Sequence, residues 1–332
     1  MKTISNEQLT IQVSPHGAEL CSIFANGKEY LWQADPAFWK RHSPVLFPIV
    51  GSVWENEYRN EGITYTLSQH GFARDMEFTL VSEKEDEVRY QLMSNEETLK
   101  KYPFPFCLEI GYRIQGKQIE VIWEVKNTGD KEMHFQIGAH PAFYWPDFDA
   151  STQERGFFGF DKKEDVKYIL ISEKGCADPS AEYSLELADG LLPLDIHTFD
   201  KDAFILENEQ VHKVTLYTKE KKACLSLHFH TPVVGLLSAS SPGMDDVTGR
   251  IIQANIKTKT GCNIYTRIRH SKEDIRLRLR SNPARLIANH LYYQKDEQFL
   301  SKAKTAAKPH GWQLQTPKST KPNLKLTHKF HL

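Results

Sequence analysis

The feature that most constrains the fold is an alternation of apolar and polar residues that recurs along the first 239 residues of this 332-residue chain. Clear examples are Leu9–Val13, Ile119–Val125 and Cys224–His230. Successive side chains of a β-strand point to opposite faces of a sheet, so this period predicts strands with one face on a core. Turn sequences such as Asn26-Gly27 separate the runs, and helix-like stretches are short. The pattern predicts an all-β protein built as a large antiparallel β-sandwich.

The character of the chain changes close to Ser240. Residues 1–239 hold 24 Lys and Arg against 37 Asp and Glu, a formal charge of −13, whereas residues 240–332 hold 18 against 6, a formal charge of +12. We therefore expect a β-sandwich domain over 1–239 and a basic, irregular tail over 240–332. The lysines of the tail are interleaved with few aromatic residues and form no recognised module, which argues against binding to nucleic acid.

Several classes of protein are disfavoured by what the sequence lacks. It has no run of eighteen apolar residues, so no membrane-spanning helix is expected, and its first residues lack the apolar region of a signal peptide. The five cysteines share no metal-like spacing, which indicates reduced thiols and a cytoplasmic location. The common nucleotide, zinc and serine-hydrolase motifs (a Gly-rich phosphate loop, CxxC, HExxH and GxSxG) are absent.

His140 is the first candidate for chemistry. It lies in the sequence Ile137-Gly-Ala-His-Pro-Ala-Phe143, directly after the predicted strand Glu132–Ile137. The flanking glycine and proline indicate a fixed backbone, and histidine is a natural general acid near neutral pH. The alternative is a structural histidine that caps a turn.

His70 and Arg74 are the second candidates, in the sequence Gln69-His-Gly-Phe-Ala-Arg-Asp75. A histidine and an arginine beside a glycine can donate hydrogen bonds to sugar hydroxyls or to a phosphate. The alternative is a surface loop in which Arg74 pairs with Asp75 or Glu77.

Three further groups have weaker patterns. His228 and His230 are two residues apart on a predicted strand, a spacing that suits a metal site, but the glycine and glutamate of a cupin-like site are missing, and a half-buried face explains them as well. Asp200 and Asp202 can bind hydroxyls or form an acidic turn. The tryptophans can stack on sugar rings or belong to the core; they are Trp32, Trp39, Trp54 and Trp145.

Residues 1–239 resemble the aldose 1-epimerase (galactose mutarotase-like) family, especially its shorter bacterial branch. Four motifs in order carry the resemblance, and the sequence Phe229-His-Thr-Pro232 supports the last two; the four are Phe47–Gly51, Gln69–Arg74, Gly138–Phe143 and Phe199–Phe204. The resemblance implies a galactose mutarotase-like supersandwich with a sugar site in an open cleft.

The resemblance also implies an acid/base mechanism that needs no metal or organic cofactor. A glutamate takes the proton of the anomeric hydroxyl while a histidine protonates the ring oxygen; the ring opens, the C1–C2 bond rotates and closure gives the other anomer. His140 matches the acid and His70 the histidine that helps to hold the ring. Arg74 is expected to reach a hydroxyl or phosphate, and Asp202 matches a family aspartate, although the local spacing differs.

The glutamate base has no match in the chain. In the family it lies in a C-I-E-P-W-like strand near the C-terminus, where this chain reads Ser238-Ala-Ser-Ser-Pro242. Codons that begin one nucleotide earlier can spell V-C-I-E-P-W there, followed by an acidic product. We therefore hypothesise that residues from about 239 onward are a frameshift product and that the C-terminal strands of the sandwich are lost.

These interpretations define the expected function. The chain is expected to be a weak or inactive isomerase for a small sugar, either a hexose or a hexose phosphate, and the alternative is a carbohydrate-binding protein without catalysis. No membrane contact is expected. The sequence leaves open which sugar is bound and what the oligomeric state is.

Overall fold

The alternating segments of the sequence form strands, and almost all of these belong to antiparallel sheets. The computed structural model describes residues 1–145, 147–171, 177–201, 203–238, 251–257, 266–268 and 323–332. All of them belong to one compact unit that spans residues 1–269 and 323–332. The first sheet is formed at the start of the chain by β1 (Lys2–Ser5), β2 (Leu9–Val13), β3 (Leu20–Ala25) and β4 (Lys28–Glu29).

The largest sheet has nine strands in the described part of the chain. Their spatial order is β18 (Leu191–Asp195), β15 (Glu154–Phe160), β20 (Lys213–Tyr217), β21 (Ala223–His228), β25 (Asn323–His331), β11 (Gln118–Asn127), β10 (Phe106–Gln115), β9 (Glu87–Met93) and β8 (Thr79–Glu83). The ten-residue register of β10 with β11 runs from Phe106 opposite Asn127 to Gln115 opposite Gln118. Such long antiparallel pairs explain why the period of two is so regular in this part of the sequence.

A second large sheet carries the segment around His140. Its spatial order is β17 (Ala177–Ser184), β16 (Lys167–Ile171), β19 (Phe204–Leu206), β22 (Val233–Ser238), β23 (Ile251–Lys257), β13 (Gly138–Ala139) and β5 (Val45–Leu46), with β14 (Ala142–Tyr144) also paired to β23. Two further pairs complete the described strands: β12 (Met133–Phe135) with β24 (Thr266–Ile268), and β6 (Glu57–Asn60) with β7 (Ile63–Thr66).

Helices are short among the described residues. The α-helix α1 spans Glu96–Lys101, and two 3₁₀ turns span Trp54–Asn56 and Ala73–Asp75. Helix α1 begins with a capping box, in which the Asn95 side chain accepts from the Thr98 N–H and the Thr98 hydroxyl accepts from the Asn95 N–H. No described helix has the length and apolar character needed to cross a membrane.

One hydrophobic cluster joins the two large sheets. Trp123 of β11 and Val234 of β22 are each 1% exposed and belong to the same buried cluster. Phe47 lies in it, fully buried, with its ring against those of Phe72, Tyr102, Phe106 and Phe135 at centroid distances of 5.0–6.4 Å. The all-β fold class and the antiparallel sandwich predicted from the sequence are confirmed.

The region beyond residue 239 differs from the predicted irregular tail. It contributes β23, β24 and β25, and two of these lie inside the large sheets rather than at their edges. The prediction rested on the change of charge and on the frameshift hypothesis, whereas in β25 the residues Leu324, Leu326 and Phe330 fall at even spacing. A segment of this kind can satisfy the backbone N–H and C=O groups of neighbouring strands whatever its charge.

Candidate functional site

The sheet positions His140 between two short strands. Strand β13 ends at Ala139 and β14 begins at Ala142, so His140 and Pro141 form the link between them. The His140 N–H donates to the Pro44 carbonyl (3.1 Å) and the Ala142 N–H to the His42 carbonyl (2.9 Å). The residue is 8% exposed. Its backbone is therefore fixed on both sides, as the flanking glycine and proline indicated.

A close backbone contact positions His70. The next residue, Gly71, has φ +71° and approaches the Phe47 carbonyl so closely that a Cβ atom there would overlap it. Only glycine fits this arrangement, because it has no side chain to clash and adopts positive φ readily. His70 itself has φ +67° and is 6% exposed. The Phe47–Gly51 and Gln69–Arg74 motifs are thus parts of one structural unit.

Hydrogen bonds with Gly51 orient the His70 ring. The His70 N–H donates to the Gly51 carbonyl (2.8 Å), and the Gly51 N–H donates to His70 Nδ1 (3.0 Å). Because Nδ1 accepts this bond, the neutral ring carries its proton on Nε2. His70 Nε2 therefore carries an N–H that can donate a hydrogen bond.

The two histidines lie side by side. Their ring centroids are 5.7 Å apart with an angle of 69° between the planes, and the Trp39 ring lies 5.1 Å from the His140 ring at 42°. Residues 70 and 140 are far apart in the sequence, so the fold brings the two candidates together. An aromatic ring beside two imidazoles can stack on the apolar face of a sugar while the histidines contact its oxygens.

Arg74 folds back along the same turn. Its Nη2 donates to the Gln69 carbonyl (2.8 Å), and its Nε lies 3.7 Å from Asp75 Oδ2 and is buried without a hydrogen-bond partner. Arg41 binds the other oxygen of the same carboxylate, with Nη2 2.7 Å from Asp75 Oδ1. Burial lowers the pKa of Arg74, and the charge of Arg41 lowers it further, against the opposing charges of Asp75 and Glu19.

The Arg74–Asp75 ion pair was the structural alternative raised by the sequence, and it is present. Arg41 was not singled out there. The available signal was the basic run Lys40-Arg41-His42 directly before the Phe47–Gly51 motif.

A buried carboxylate supports the segment that His140 binds. Glu19 is 8% exposed, and its Oε1 accepts from the backbone N–H groups of His42 (2.8 Å) and Ser43 (2.9 Å). Glu19, Cys21 and His42 could together hold a metal ion, because their ligand atoms lie within 4.8 Å of one another. The two backbone donors already occupy Glu19 Oε1, and burial raises the pKa of the Cys21 thiol to about 12, which disfavours the thiolate that a metal requires.

The strand on the other side of the His140 segment comes from beyond residue 239. Strand β23 pairs with both β13 and β14, in a register that places Ala139 opposite Ile256 and Ala142 opposite Gln253. Its sequence, Ile-Ile-Gln-Ala-Asn-Ile-Lys, contains neither aspartate nor glutamate. Strand β23 therefore brings no carboxylate beside the His140 segment.

The remaining candidates lie elsewhere or outside the described residues. Asp202 is outside the described residues. His228 lies on β21, opposite Lys213 and Lys329 in register, and burial together with the charge of Lys213 lowers its pKa. The His230 ring lies 5.7 Å from that of His212. Neither histidine joins a potential metal-binding group among the described residues.

The tryptophans divide between core and surface. Trp32 and Trp145 are each 4% exposed and belong to hydrophobic clusters. Trp54 is 48% exposed. Trp39 is partly buried, and it is the tryptophan whose ring lies beside His140.

The fold and this pair of buried histidines define a β-sandwich of the mutarotase type, and comparison with known proteins agrees. The family model for aldose 1-epimerase matches residues 1–156. The plasmid-encoded LacX protein of Lactococcus lactis subsp. lactis is 34% identical over 234 residues, which cover 68% of this chain and 78% of LacX. The chain therefore belongs to the aldose 1-epimerase family.

Two solved structures share the fold. A galactose mutarotase related enzyme from Lactobacillus acidophilus has a TM-score of 0.75 at 26% identity, over 99% of this chain and 96% of that one. A galactose mutarotase-like protein from Lactobacillus casei ATCC 334 has a TM-score of 0.76 at 22% identity, over 100% and 99%.

Proposed function

We propose that this chain binds a hexose or hexose phosphate at the His70–His140 pair and interconverts its anomers only weakly, because the general base is missing. The observation that carries the proposal is the contact of the two buried imidazoles, 5.7 Å apart between centroids, beside the Trp39 ring. The membership of this chain in the aldose 1-epimerase family supports a sugar substrate.

The residues have distinct roles in this proposal. His140 donates a proton to the ring oxygen, and the Nε2 proton of His70 is donated in a hydrogen bond that holds the ring. The anomeric hydroxyl must lose a proton at the same time, so that the ring opens to the aldehyde without a net gain of protons. Because strand β23 supplies no carboxylate, that proton passes to water, and the reaction is slow.

Proton NMR can test binding and catalysis in one sample. We expect glucose or galactose to shift the His70 and His140 ring signals of the full chain, with anomer exchange only slightly faster than in buffer. His140→Gln is expected to abolish the residual acceleration. His16→Gln is the matched control, because His16 is exposed and its imidazole pairs with Glu77 (2.8 Å), away from the His70–His140 pair.

The results of this NMR experiment distinguish an impaired isomerase from a carbohydrate-binding protein. Exchange that depends on His140 supports an impaired isomerase. Binding with no exchange that depends on His140 supports the alternative, a carbohydrate-binding protein without catalysis, which the absence of a carboxylate on β23 favours. Exchange at the full rate of an active mutarotase contradicts the proposed impairment, and unchanged histidine signals contradict both functions.

The arginines allow a test of whether the bound sugar carries a phosphate. Arg41 and Arg74 both lie against the carboxylate of Asp75, and the charge of Glu19 also acts on Arg74. If Arg74 binds the phosphate of the substrate, Arg74→Gln is expected to weaken binding of a hexose phosphate far more than binding of the free hexose. Equal losses for both sugars would assign Arg74 to a hydroxyl.

A further inference from the structure

The nine-stranded sheet depends on one strand from the end of the chain. Strand β25 lies between β21 and β11, and no other described strand joins these two. Without it the sheet would separate into two groups of four, β18-β15-β20-β21 and β11-β10-β9-β8, each with an open edge. We call the gap between Gln118–Asn127 and Ala223–His228 the closing slot.

Backbone pairing fills the closing slot on both sides. Strand β25 is antiparallel to β11 over nine residue pairs, from Gln118 opposite His331 to Lys126 opposite Asn323. It is also antiparallel to β21 over three pairs, which include Leu227 opposite Phe330. The Leu332 N–H donates to the Lys117 carbonyl (3.2 Å), which extends the pairing past the strand.

The described side chains of the strand match the two faces of the closing slot. Phe330 is 2% exposed, and its register partners Ile119 and Leu227 are 0% and 5% exposed, so the three residues form one buried row. Lys329 is exposed and lies opposite Glu120, which also binds Arg113 (2.8 Å). An apolar inner row and an acidic outer residue favour an extended segment that alternates between apolar and basic residues.

The strand also contacts the sequence around His140. The Phe330 ring lies 5.9 Å from the Phe143 ring at 65°, an edge-to-face arrangement. Phe143 lies on β14, three residues after His140. Occupancy of the closing slot thus supports the strand that follows the proposed acid.

We infer that the closing slot is a strand-binding site, that residues 323–332 of the same chain are its ligand, and that Phe330 links its occupancy to the His140 segment. This role is independent of whether the chain catalyses anomer exchange. It assigns a function to part of the basic region, which serves as the segment that completes the sheet.

A disulfide test in the full chain locates the strand. Directly opposed residues on antiparallel strands have Cα atoms about 4.5–5.5 Å apart, within the range of a disulfide. We expect the pair Glu120→Cys and Lys329→Cys to form a disulfide within one chain under mild oxidation, as mapped by mass spectrometry. In the control pair, Glu124→Cys and Lys329→Cys, the positions are four residues out of register, about 13 Å apart, and no disulfide is expected.

Two outcomes of the disulfide test overturn the proposal. Equal yields for both pairs, or no disulfide in either, would show that the strand does not occupy this register. A disulfide between two chains would show that a second copy supplies the segment, which contradicts an intramolecular ligand.

A second measurement tests the link to His140 without cysteines. In Phe330→Asp the charged side chain is incompatible with the buried row, so amides of β11 that face the closing slot are expected to exchange at least tenfold faster with deuterium. His331→Asp is the matched control, since His331 is exposed, and little change is expected. A synthetic peptide of residues 323–332 is expected to restore protection to Phe330→Asp and to return the His140 ring signal to its original position. Equal exchange in the two variants, or no effect of the peptide, contradicts the inference.

Discussion

The two neighbours of the His140 segment differ in what they supply. On one side, β5 belongs to a region where Pro44 binds the His140 backbone and Phe47 binds Gly71, and so fixes His70. On the other side, β23 provides backbone pairing to β13 and β14 but no carboxylate. Both sides pair with the His140 segment, whereas the first also fixes a second histidine, His70.

This difference shows how unequally structure and chemistry depend on sequence. Backbone N–H and C=O groups are the same in almost every residue, so a sheet accepts any segment with a suitable apolar pattern. A general base needs one ionisable side chain within hydrogen-bond reach of the substrate. A changed sequence after residue 239 can therefore preserve much of the sandwich and still remove catalysis.

The largest expected effect comes from restoring the base. A chain in which residues from 239 onward are replaced by the product of the shifted frame regains the C-I-E-P-W sequence. We expect its rate of anomer exchange to exceed that of the present chain by about a hundred- to ten-thousand-fold. The measurement is proton NMR exchange between glucose or galactose anomers.

The control for this gain is the same restored chain with its new glutamate changed to glutamine, which is expected to return to the low rate. A restored chain no faster than the present one would remove the reason for the proposed impairment. Sequencing the gene across the codons for Leu236 to Asp246 tests the frameshift hypothesis directly.

The sequence predicted the fold well because alternation is a local signal. The strands β2, β11 and β21 are visible as runs of period two in Leu9–Val13, Ile119–Val125 and Cys224–His230. Strand β25 was not predicted, because its apolar residues, although evenly spaced, lie within a strongly basic region. A sequence pattern can predict a strand, but it does not predict which open sheet edge that strand pairs with.

The site was predictable in part. His70 and His140 were singled out from local motifs and the family resemblance, but their contact depends on the pairing of Phe47 with Gly71, which is non-local. The sharing of Asp75 by Arg41 and Arg74 is also tertiary, since Arg41 is 34 residues from Asp75 in the sequence. The hydrogen bonds from the His42 and Ser43 backbone to Glu19 are also tertiary contacts.

Two buried phenylalanines, one near β5 and one on β25, are expected to differ in how much stability their removal costs. Phe47 is fully buried among four aromatic rings, so Phe47→Ala is expected to lower the free energy of unfolding by about 3–5 kcal/mol. Phe330 is similarly buried, at 2% exposure, but it lies one residue before the end of strand β25. The end of a strand can separate locally at a lower free energy than global unfolding, so Phe330→Ala is expected to cost less.

Urea denaturation gives the global loss for both variants, and hydrogen exchange reports local separation of β25. Equal losses of global stability would mean that β25 unfolds only together with the rest of the sandwich. That outcome would make the late strand as integral to the fold as the Phe47 cluster.

The smallest expected effect concerns a network of ion pairs on β9, β10 and β11. Glu87 is 3% exposed and accepts from Arg89 and from Arg113 Nε (2.6 Å); Arg113 also binds Glu120, the register partner of Lys329. Burial alone would raise the pKa of Glu87, but the hydrogen bonds and charges of the two arginines outweigh it and lower the pKa. The ionised form is therefore favoured by folding.

The sign of the pH dependence follows from that lowered pKa. The contribution of Glu87 to stability is fully present above the pKa of an unfolded glutamate, about 4.3, and is lost as the pH falls through the lower pKa of the folded state. Glu87→Gln is expected to be less stable than the original chain at pH 7, with the difference shrinking below about pH 4. Urea denaturation at a series of pH values measures this, with the exposed Glu85→Gln as control. A difference that stays constant at low pH would mean that the shape of the Glu87 side chain, rather than its charge, sets its contribution to stability.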